Sequence, residues 1–266
     1  MASSPERNDA RRGRSKRPHG NFSRRPEAVA DDWIWGWHAV EAALGNPARG
    51  APELILATPE RTRQILAKFG ALPGLQQADN QQIAQRLPQG AIHQGVAVRG
   101  AVLEPADLAD FEPRPGAVLL MLDSVTDPQN VGAILRSAAA FGAVGVVLQD
   151  RHAPRFTGAL AKAAAGAVDR IATARVINLS RALDELTDAG WRAVGLSGEV
   201  DRDLGDVLDG GPTVLVLGSE GEGLRRLVAE HCDELARIPM PGGFESLNVS
   251  AAAAVAMYEA SRPKGR

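Results

Sequence analysis

The sequence predicts an α/β protein: a small α/β unit followed by a larger one built on a parallel sheet. Two observations predict the sheet. Apolar runs at residues 117–122, 144–148, Arg192–Leu196 and Thr213–Leu217 are near-continuous, as strands buried on both faces should be. Segments with helical spacing fill the intervals, and strand–helix alternation over about 145 residues argues an open sheet with crossover connections. A third observation divides the chain. Residues 104–116 hold Pro105, Pro113 and Pro115 among several acids, the composition of a linker. The expected organisation is a basic disordered tail (1–31), a small α/β unit (32–103), a linker (104–116) and the sheet unit (117–266).

Within the small unit, residues 37–44 have helical spacing and Gly45-Asn46-Pro47 stops them. Residues 53–57 read as a short strand and 60–69 as a helix. Residues 80–87 read as a further helix capped by Asp79 or Asn80, and 94–99 alternate like a closing strand. In the larger unit, helices are expected at 131–141, 158–166 and 179–189, the last capped by Asn178 or Ser180. A long alanine-rich helix is expected at 249–260.

Composition narrows the function classes. An apolar fraction of 44% is ordinary for a chain that buries a core. No apolar run reaches the ~18–20 residues that span a bilayer, and the start has no apolar h-region. The single cysteine, Cys232, excludes an internal disulfide and fits a reducing compartment. His19, His38, His93, His152 and His231 have no ligand spacing with one another or with Cys232, so no metal is expected. The net charge of −2 is uneven: residues 1–30 carry eight Lys/Arg against three acids, which leaves −7 on the other 236 residues. Contact with RNA or another polyanion, and a solvated extension, both fit that tail. Pro5, Glu6, Asp9 and Gly13 spoil the amphipathic helix of a transit peptide.

Three loops following strands have the character of a site, where open α/β sheets bind their ligands. The first, Asp123-Ser-Val-Thr-Asp-Pro-Gln-Asn-Val-Gly-Ala-Ile-Leu-Arg136, places Asn130 near a helix start and Gly132 where a backbone can come close. Arg136 follows among small neighbours, Ala133, Ser137, Ala138 and Ala140. A solvated surface arginine and a guanidinium aimed at a phosphate or carboxylate both fit this segment. The second loop, Gly218-Ser-Glu-Gly-Glu-Gly-Leu224, has three glycines in six residues but is neither a GxxxxGK[ST] loop nor a GxGxxG fingerprint. Glu220 and Glu222 would repel phosphoryl oxygens, and fit a cationic or hydroxyl-bearing ligand better than a phosphate. The third, Ile238-Pro-Met-Pro-Gly-Gly-Phe-Glu-Ser-Leu-Asn248, leads into a helix whose first-turn amides lack intrahelical partners.

Together, Asn130-x-Gly132…Arg136, Leu217-Gly-Ser-Glu-Gly-x-Gly223 and Ile238-Pro-Met-x5-Ser246-Leu-Asn-Val-Ser250 resemble, in family order, the three signature motifs of the SpoU/TrmH-type RNA ribose 2′-O-methyltransferases of the SPOUT superfamily. Gly36-Trp-His-Ala-Val40, His93-Gln-Gly-Val96, Lys162-Ala-Ala-Ala-Gly166 and Glu230-His-Cys-Asp-Glu234 resemble the bacterial subgroup that methylates a guanosine in 23S rRNA. The resemblance implies an S-adenosylmethionine cofactor and a C-terminal parallel-sheet domain tied in a trefoil knot, which pattern reasoning excludes by default. It implies a preceding small α/β ribosomal-protein-like domain that binds the RNA substrate. It further implies a homodimer whose active sites draw on both chains, while the apolar runs, the histidine spacing and the single cysteine give the expectation of no membrane, no metal and a cytoplasmic location. Residue by residue it places cofactor contacts on Leu217, Gly218, Ile238, Met240 and Leu247. Catalytic and substrate-orienting roles fall on Asn130, Arg136, Glu220, Ser246 and Asn248. A guanidinium with a pKa above ~12 is a poor general base, so Arg136 is expected to clamp a phosphate and stabilise a developing alkoxide. Phe244-Glu245 is bulkier and more acidic than the motif leads one to expect before Ser246.

Three other readings compete. A tRNA ribose methyltransferase would carry the same motifs, and a catalytically inactive RNA-binding assembly protein need not keep all five polar residues. A dinucleotide-dependent oxidoreductase would place its glycine-rich loop after the first strand, not at residue 218. With aromatics at 4%, RNA contact should rest on Arg and Lys more than on base stacking.

Overall fold

The structure, a computed structural model, describes residues 32–100, 103–151, 153–154, 158–243 and 246–262. The basic tail expected at 1–31 and the Phe244-Glu245 pair lie outside the described residues.

The first part of the chain forms β1 (Trp33–Trp35), α1 (Trp37–Gly45), β2 (Leu54–Ala57), α2 (Pro59–Phe69), β3 (Leu75–Gln77), α3 (Asn80–Ala84) and β4 (Val96–Arg99). The strands make a mixed sheet in the order β1-β4-β2-β3, with β4 antiparallel to both neighbours and β2 parallel to β3. The helix expected at 80–87 closes at Ala84. Asp79 starts it with a capping box, its carboxylate accepting from Gln82 N at 2.8 Å while Gln82 Oε1 accepts from Asp79 N at 2.9 Å.

The second part forms β5 (Val118–Leu122), α4 (Pro128–Ala140), β6 (Gly145–Gln149), α5 (Gly158–Ala163), β7 (Ala172–Val176) and α6 (Leu179–Asp188). It continues through β8 (Arg192–Leu196), α7 (Leu204–Val207), β9 (Thr213–Leu217), α8 (Arg226–Glu230), β10 (Glu234–Ala236) and α9 (Val249–Ser261). All six strands are parallel, in the order β10-β8-β9-β5-β6-β7. The α/β class and the parallel sheet match the expectation. Alternation along β5 explains the two layers of helices. Val118, Leu120 and Leu122 pack with Ile134, Leu135, Leu160, Ala253 and Met257 on one face. Leu119 and Met121 pack with Leu179, Leu183, Leu186 and Trp191 on the other.

The chain leaves β5 toward β6 on one side and later returns to β9 on the other, so the crevice beyond β5 and β9 is a topological switch point. Helix α4 begins three residues earlier than expected. Asp127 is its cap, accepting from Gln129 N at 3.0 Å, with Pro128 in the first turn. That start places Asn130 inside the first turn instead of at the cap. Gly132 allows close packing of α4 on α5, since a Cβ there would lie 2.5 Å from Ala163 Cβ.

Residues 104–116 are tied to the large sheet. Ala106 N donates to Thr173 O at 2.8 Å beside the edge strand β7. Phe111 is 5% exposed, accepts at its carbonyl from Trp191 Nε1 at 3.2 Å, and packs where Gly145 has no side chain. Two contacts fasten the sheets to each other. Asp169, its side chain 1% exposed, accepts from Arg49 Nε at 2.5 Å and from Asn46 Nδ2 at 3.1 Å. Gly158 sits under β1, where a Cβ would come within 2.0 Å of Trp35 Cζ3 and 2.3 Å of Trp33 O. Gly158→Ala is therefore expected to destabilise the chain by about 2–3 kcal/mol, read as a lower urea midpoint at unchanged slope.

Candidate active site

The three loops singled out in the sequence converge at the carboxyl ends of β5 and β9. After β9 the chain turns through residues 218–223, closed by reciprocal bonds between Ser219 and Gly223, each 3.1 Å. Gly218 has no room for a side chain, because a Cβ would lie 2.1 Å from the carbonyl carbon of Gly223. Gly221 and Gly223 have φ of 88° and 66°, the left-handed region that glycine enters without strain. This turn carries Glu220 to its exposed tip.

One carboxylate oxygen, Glu220 Oε1, collects three donors. Asn130 Nδ2 donates to it at 3.1 Å and the main-chain N of Val249 at 3.2 Å, and Asn248 Nδ2 also donates to it. Asn248 Nδ2 additionally reaches Asn130 Oδ1 at 3.1 Å. Asn248 is at the same time the cap of α9, its Oδ1 accepting from Ser250 N at 2.9 Å. The amide is thus fixed in orientation, with its oxygen on the helix and its NH2 toward the other two residues. Placing Glu220 at the α9 N-terminus is electrostatically favourable for a carboxylate. Residues 90 and 118 positions apart, Asn130–Glu220 and Asn130–Asn248, therefore form one rigid polar cluster.

Arg136 and Ser246 are not part of that cluster. Arg136 is exposed on α4 and has no hydrogen-bond or ion-pair partner among the described residues. It lies six residues beyond Asn130, which is about 9 Å along the helix axis and a third of a turn away from it. Ser246 is exposed just before α9, beside Leu247, which is 40% exposed. Ile238 and Met240 are half-buried on the turn after β10, and Ile238 packs against the core. Leu217 is 1% exposed inside the core, so a ligand could meet only its main chain.

The geometry also holds residues that the sequence reading gave no role. Asp123 directly follows β5, is fully buried, and its main-chain N donates to Leu217 O at 2.8 Å. Its carboxylate accepts from Arg225 Nε at 2.6 Å, Arg225 N at 2.9 Å and Ser124 Oγ at 3.2 Å. Arg225 Nη2 continues to Gln149 Oε1 at 2.8 Å, and Gln149 Nε2 to Ile177 O at 3.2 Å. The glycine turn is thus pinned where it leaves β9 and where it ends at Arg225. The only sequence signal was an unbroken apolar run ending on a charged residue. Behind the turn, burial pushes the Cys232 thiol from the usual 9.0 up to about 12, with Asp233 and Asp123 adding to it. The folded state keeps its proton where the unfolded chain loses it, so this group lowers stability as pH rises from about 9 toward 12 and has no effect below. At pH 8 the native thiol is expected to resist iodoacetamide, with alkylation seen by mass spectrometry only after denaturation.

Among the described residues no cluster of His, Cys, Asp and Glu could hold a metal ion, and no helix is long and apolar enough to cross a membrane. The sheet, the switch-point crevice and the Asn–Glu–Asn cluster can be compared with known proteins. The sequence profile of the SpoU rRNA methylase family matches residues 117–258, which include all three loops. This chain belongs to the SpoU rRNA methylase family. The family suggested by the three motifs is borne out. Among SpoU relatives, the 23S rRNA (guanosine-2′-O-)-methyltransferase RlmB of Xylella fastidiosa is 40% identical over 242 residues, 88% of this chain and 97% of its own. RlmB of Escherichia coli is 37% identical over 240 residues, 88% and 99% of the two chains. Solved SpoU-type structures agree. An AdoMet-bound rRNA methyltransferase from Sinorhizobium meliloti superposes with a TM-score of 0.72 at 27% identity, covering 86% of this chain and 85% of that one. AviRb from Streptomyces viridochromogenes in complex with AdoMet gives 0.71 at 25% identity, covering 86% and 88%.

Proposed function

We propose that the protein transfers a methyl group from S-adenosylmethionine to the 2′-hydroxyl of a guanosine ribose in 23S rRNA. The observation that carries this reading is the Asn130–Glu220–Asn248 cluster at the switch point, in a chain similar over 88% of its length to 23S rRNA guanosine methyltransferases. The fit of the cofactor rests on this chain's own residues. Ile238, Met240 and Leu247 offer partly exposed apolar side chains for adenine. The main-chain amides of Ile238 and Met240 make no hydrogen bond to other described residues, which leaves donors for the base edge. Gly218 brings the backbone of the glycine turn close without a side chain in the way. When bound, the cofactor supplies an electrophilic methyl on a sulfonium.

Everything else in the reaction falls to the protein. The displacement is in line, so aligning the ribose oxygen supplies much of the acceleration. Asn130 and Asn248, braced on Glu220, orient the ribose, and the second Glu220 oxygen stays open to a hydroxyl or to Arg136. Arg136 grips the phosphate beside the reacting sugar and stabilises the alkoxide as the proton leaves to that phosphate or to water. Ser246 and Leu247 line the same mouth from the α9 side.

Arg136 stands apart from the cluster within one chain, which supports a homodimer in which each active site takes this arginine from the partner. The outer face of α9 supports it as well, because Ala251, Val255 and Tyr258 recur at helical spacing and are exposed, Val255 at 42% and Tyr258 at 56%. The C-terminal segment belongs to a trefoil knot on this reading, supported by the return of α9 from the edge strand β10 to pack on α4 and β9. Residues 32–103 act as the RNA-binding domain, 104–116 as the connector and 117–266 as the catalytic domain, working in the cytoplasm. The test is methyl transfer by purified protein to unmodified 23S rRNA and tRNA transcripts. 2′-O-methylguanosine in the 23S digest is expected. Label confined to tRNA moves the substrate, and cofactor binding without transfer to either RNA contradicts the reading.

A further inference from the structure

Apart from the catalytic crevice, the small sheet has a second concave surface. An open cleft of about 720 Å³ lies between the start of α2, Asn80 and the turn at residues 91–95. Its lining includes Arg61, Arg63, His93 and Ile92, with Glu60 as its one acid. Ile92 is 66% exposed there, an apolar side chain open to a ligand at the cleft wall.

The cleft is built around Gln94, a non-glycine residue at φ 54°, a strained conformation that persists when neighbours hold it. Its side-chain oxygen accepts from Trp37 N at 2.9 Å and its carbonyl from Arg61 Nε at 3.0 Å. Arg61 in turn lies over the Trp37 ring, 4.6 Å from its centroid, so the cation is held in place before anything binds. Arg63 is exposed with no partner among the described residues, an uncompensated positive charge at the rim. His93 Nδ1 accepts from Gly95 N at 3.1 Å, which leaves Nε2–H as a donor, and burial lowers its pKa.

One helix connects this cleft to the catalytic site. At Gly36 an added Cβ would meet Gln94 Oε1 at 3.4 Å and Lys162 Cγ at 3.7 Å. Lys162 is on α5, and its neighbours Ala163 and Ala164 pack on Gly132, two residues from Asn130.

We infer that the Arg61–Arg63–His93–Ile92 cleft seats an unpaired stretch of the RNA substrate flanking the methylated nucleotide. The inference rests on the proposed rRNA methyl transfer and adds where, on the small domain, the RNA is held. Phosphates lie against Arg63 and Arg61 and a base turns inward onto Ile92 and His93. Lys162 continues the positive track toward the reacting ribose. Only an unpaired strand can present phosphates outward and a base inward in so small a concavity.

The test uses the full-length protein, an unmodified 23S rRNA transcript and labelled S-adenosylmethionine. Arg63→Glu and Ile92→Ser change exposed side chains, and Arg181→Glu on α6, across the large sheet, controls for net charge. Arg63→Glu is expected to raise the RNA KM by about tenfold and to reduce the salt slope of binding by about one phosphate contact. Ile92→Ser raises KM without altering the slope. In both, kcat and cofactor affinity stay near wild type, and Arg181→Glu changes neither. RNA KM values for Arg63→Glu and Ile92→Ser equal to those of the control overturn the inference while leaving the methyl-transfer reading intact. A wild-type protein that does not methylate the 23S transcript overturns both.

Discussion

Arg136→Ala is expected to lower kcat for methyl transfer by about 10²–10³-fold, the loss typical of removing one charged stabiliser of a transition state. Stability should not change, because the side chain is exposed and partnerless among the described residues. Cofactor affinity should stay within about twofold of wild type, since on the proposed reading adenine rests against Ile238, Met240 and Leu247 and not against Arg136. Arg136→Lys distinguishes a planar fork from a point charge. It fails as completely as alanine if two parallel hydrogen bonds to phosphate are needed, and recovers if charge alone suffices. Steady-state kinetics beside a calorimetric cofactor titration checks both. Turnover near wild type in Arg136→Ala removes the assigned role.

The second large effect is on folding and is asymmetric. Asp123 is fully buried whereas the Arg225 side chain is 43% exposed. Arg225→Met leaves a carboxylate in the interior with only the main-chain N of residue 225 and Ser124 Oγ to satisfy it. The expected loss is about 3–5 kcal/mol, the range for breaking a buried pair from the side that strands the charge. Asp123→Asn strands nothing of the kind, because the guanidinium can turn to water and the amide still accepts at one oxygen. Its expected cost is about 1–3 kcal/mol. Urea unfolding of the two variants gives the comparison, and equal losses would contradict a burial-driven asymmetry. Since the pair holds the Arg225 end of the glycine turn, each variant should also weaken cofactor binding by more than its stability loss alone explains.

The sequence revealed the interior of this fold and concealed its margins. β2, β4, β5, β6, β8 and β9 were all visible, because neighbours on both edges and packing on the sheet faces make their residues apolar and regular. The four strands without a sequence signal, β1, β3, β7 and β10, are the four sheet edges. An edge strand is short or partly solvated, so Leu75-Gln-Gln and Glu234-Leu-Ala carry neither a run nor an alternation long enough to read. The same physics separates what was legible in the site. Asn130, Glu220 and Asn248 announce themselves because glycine turns and helix starts have strong local signatures. Asp123 and Arg225 do not, since their pairing joins positions 102 residues apart and no local pattern encodes it. The cap of α4 shows a near miss. Asp127-Pro128 reads as a turn and also starts a helix, and only the observed hydrogen bond to Gln129 N decides which.

The most direct test is a map of ribose 2′-O-methylation across 23S rRNA in a strain lacking this gene, complemented with wild type or with Arg136→Ala. One guanosine should lose its methyl group in the deletion, regain it with wild type and stay bare with Arg136→Ala. A 23S methylation map unchanged by the deletion would contradict the assigned activity.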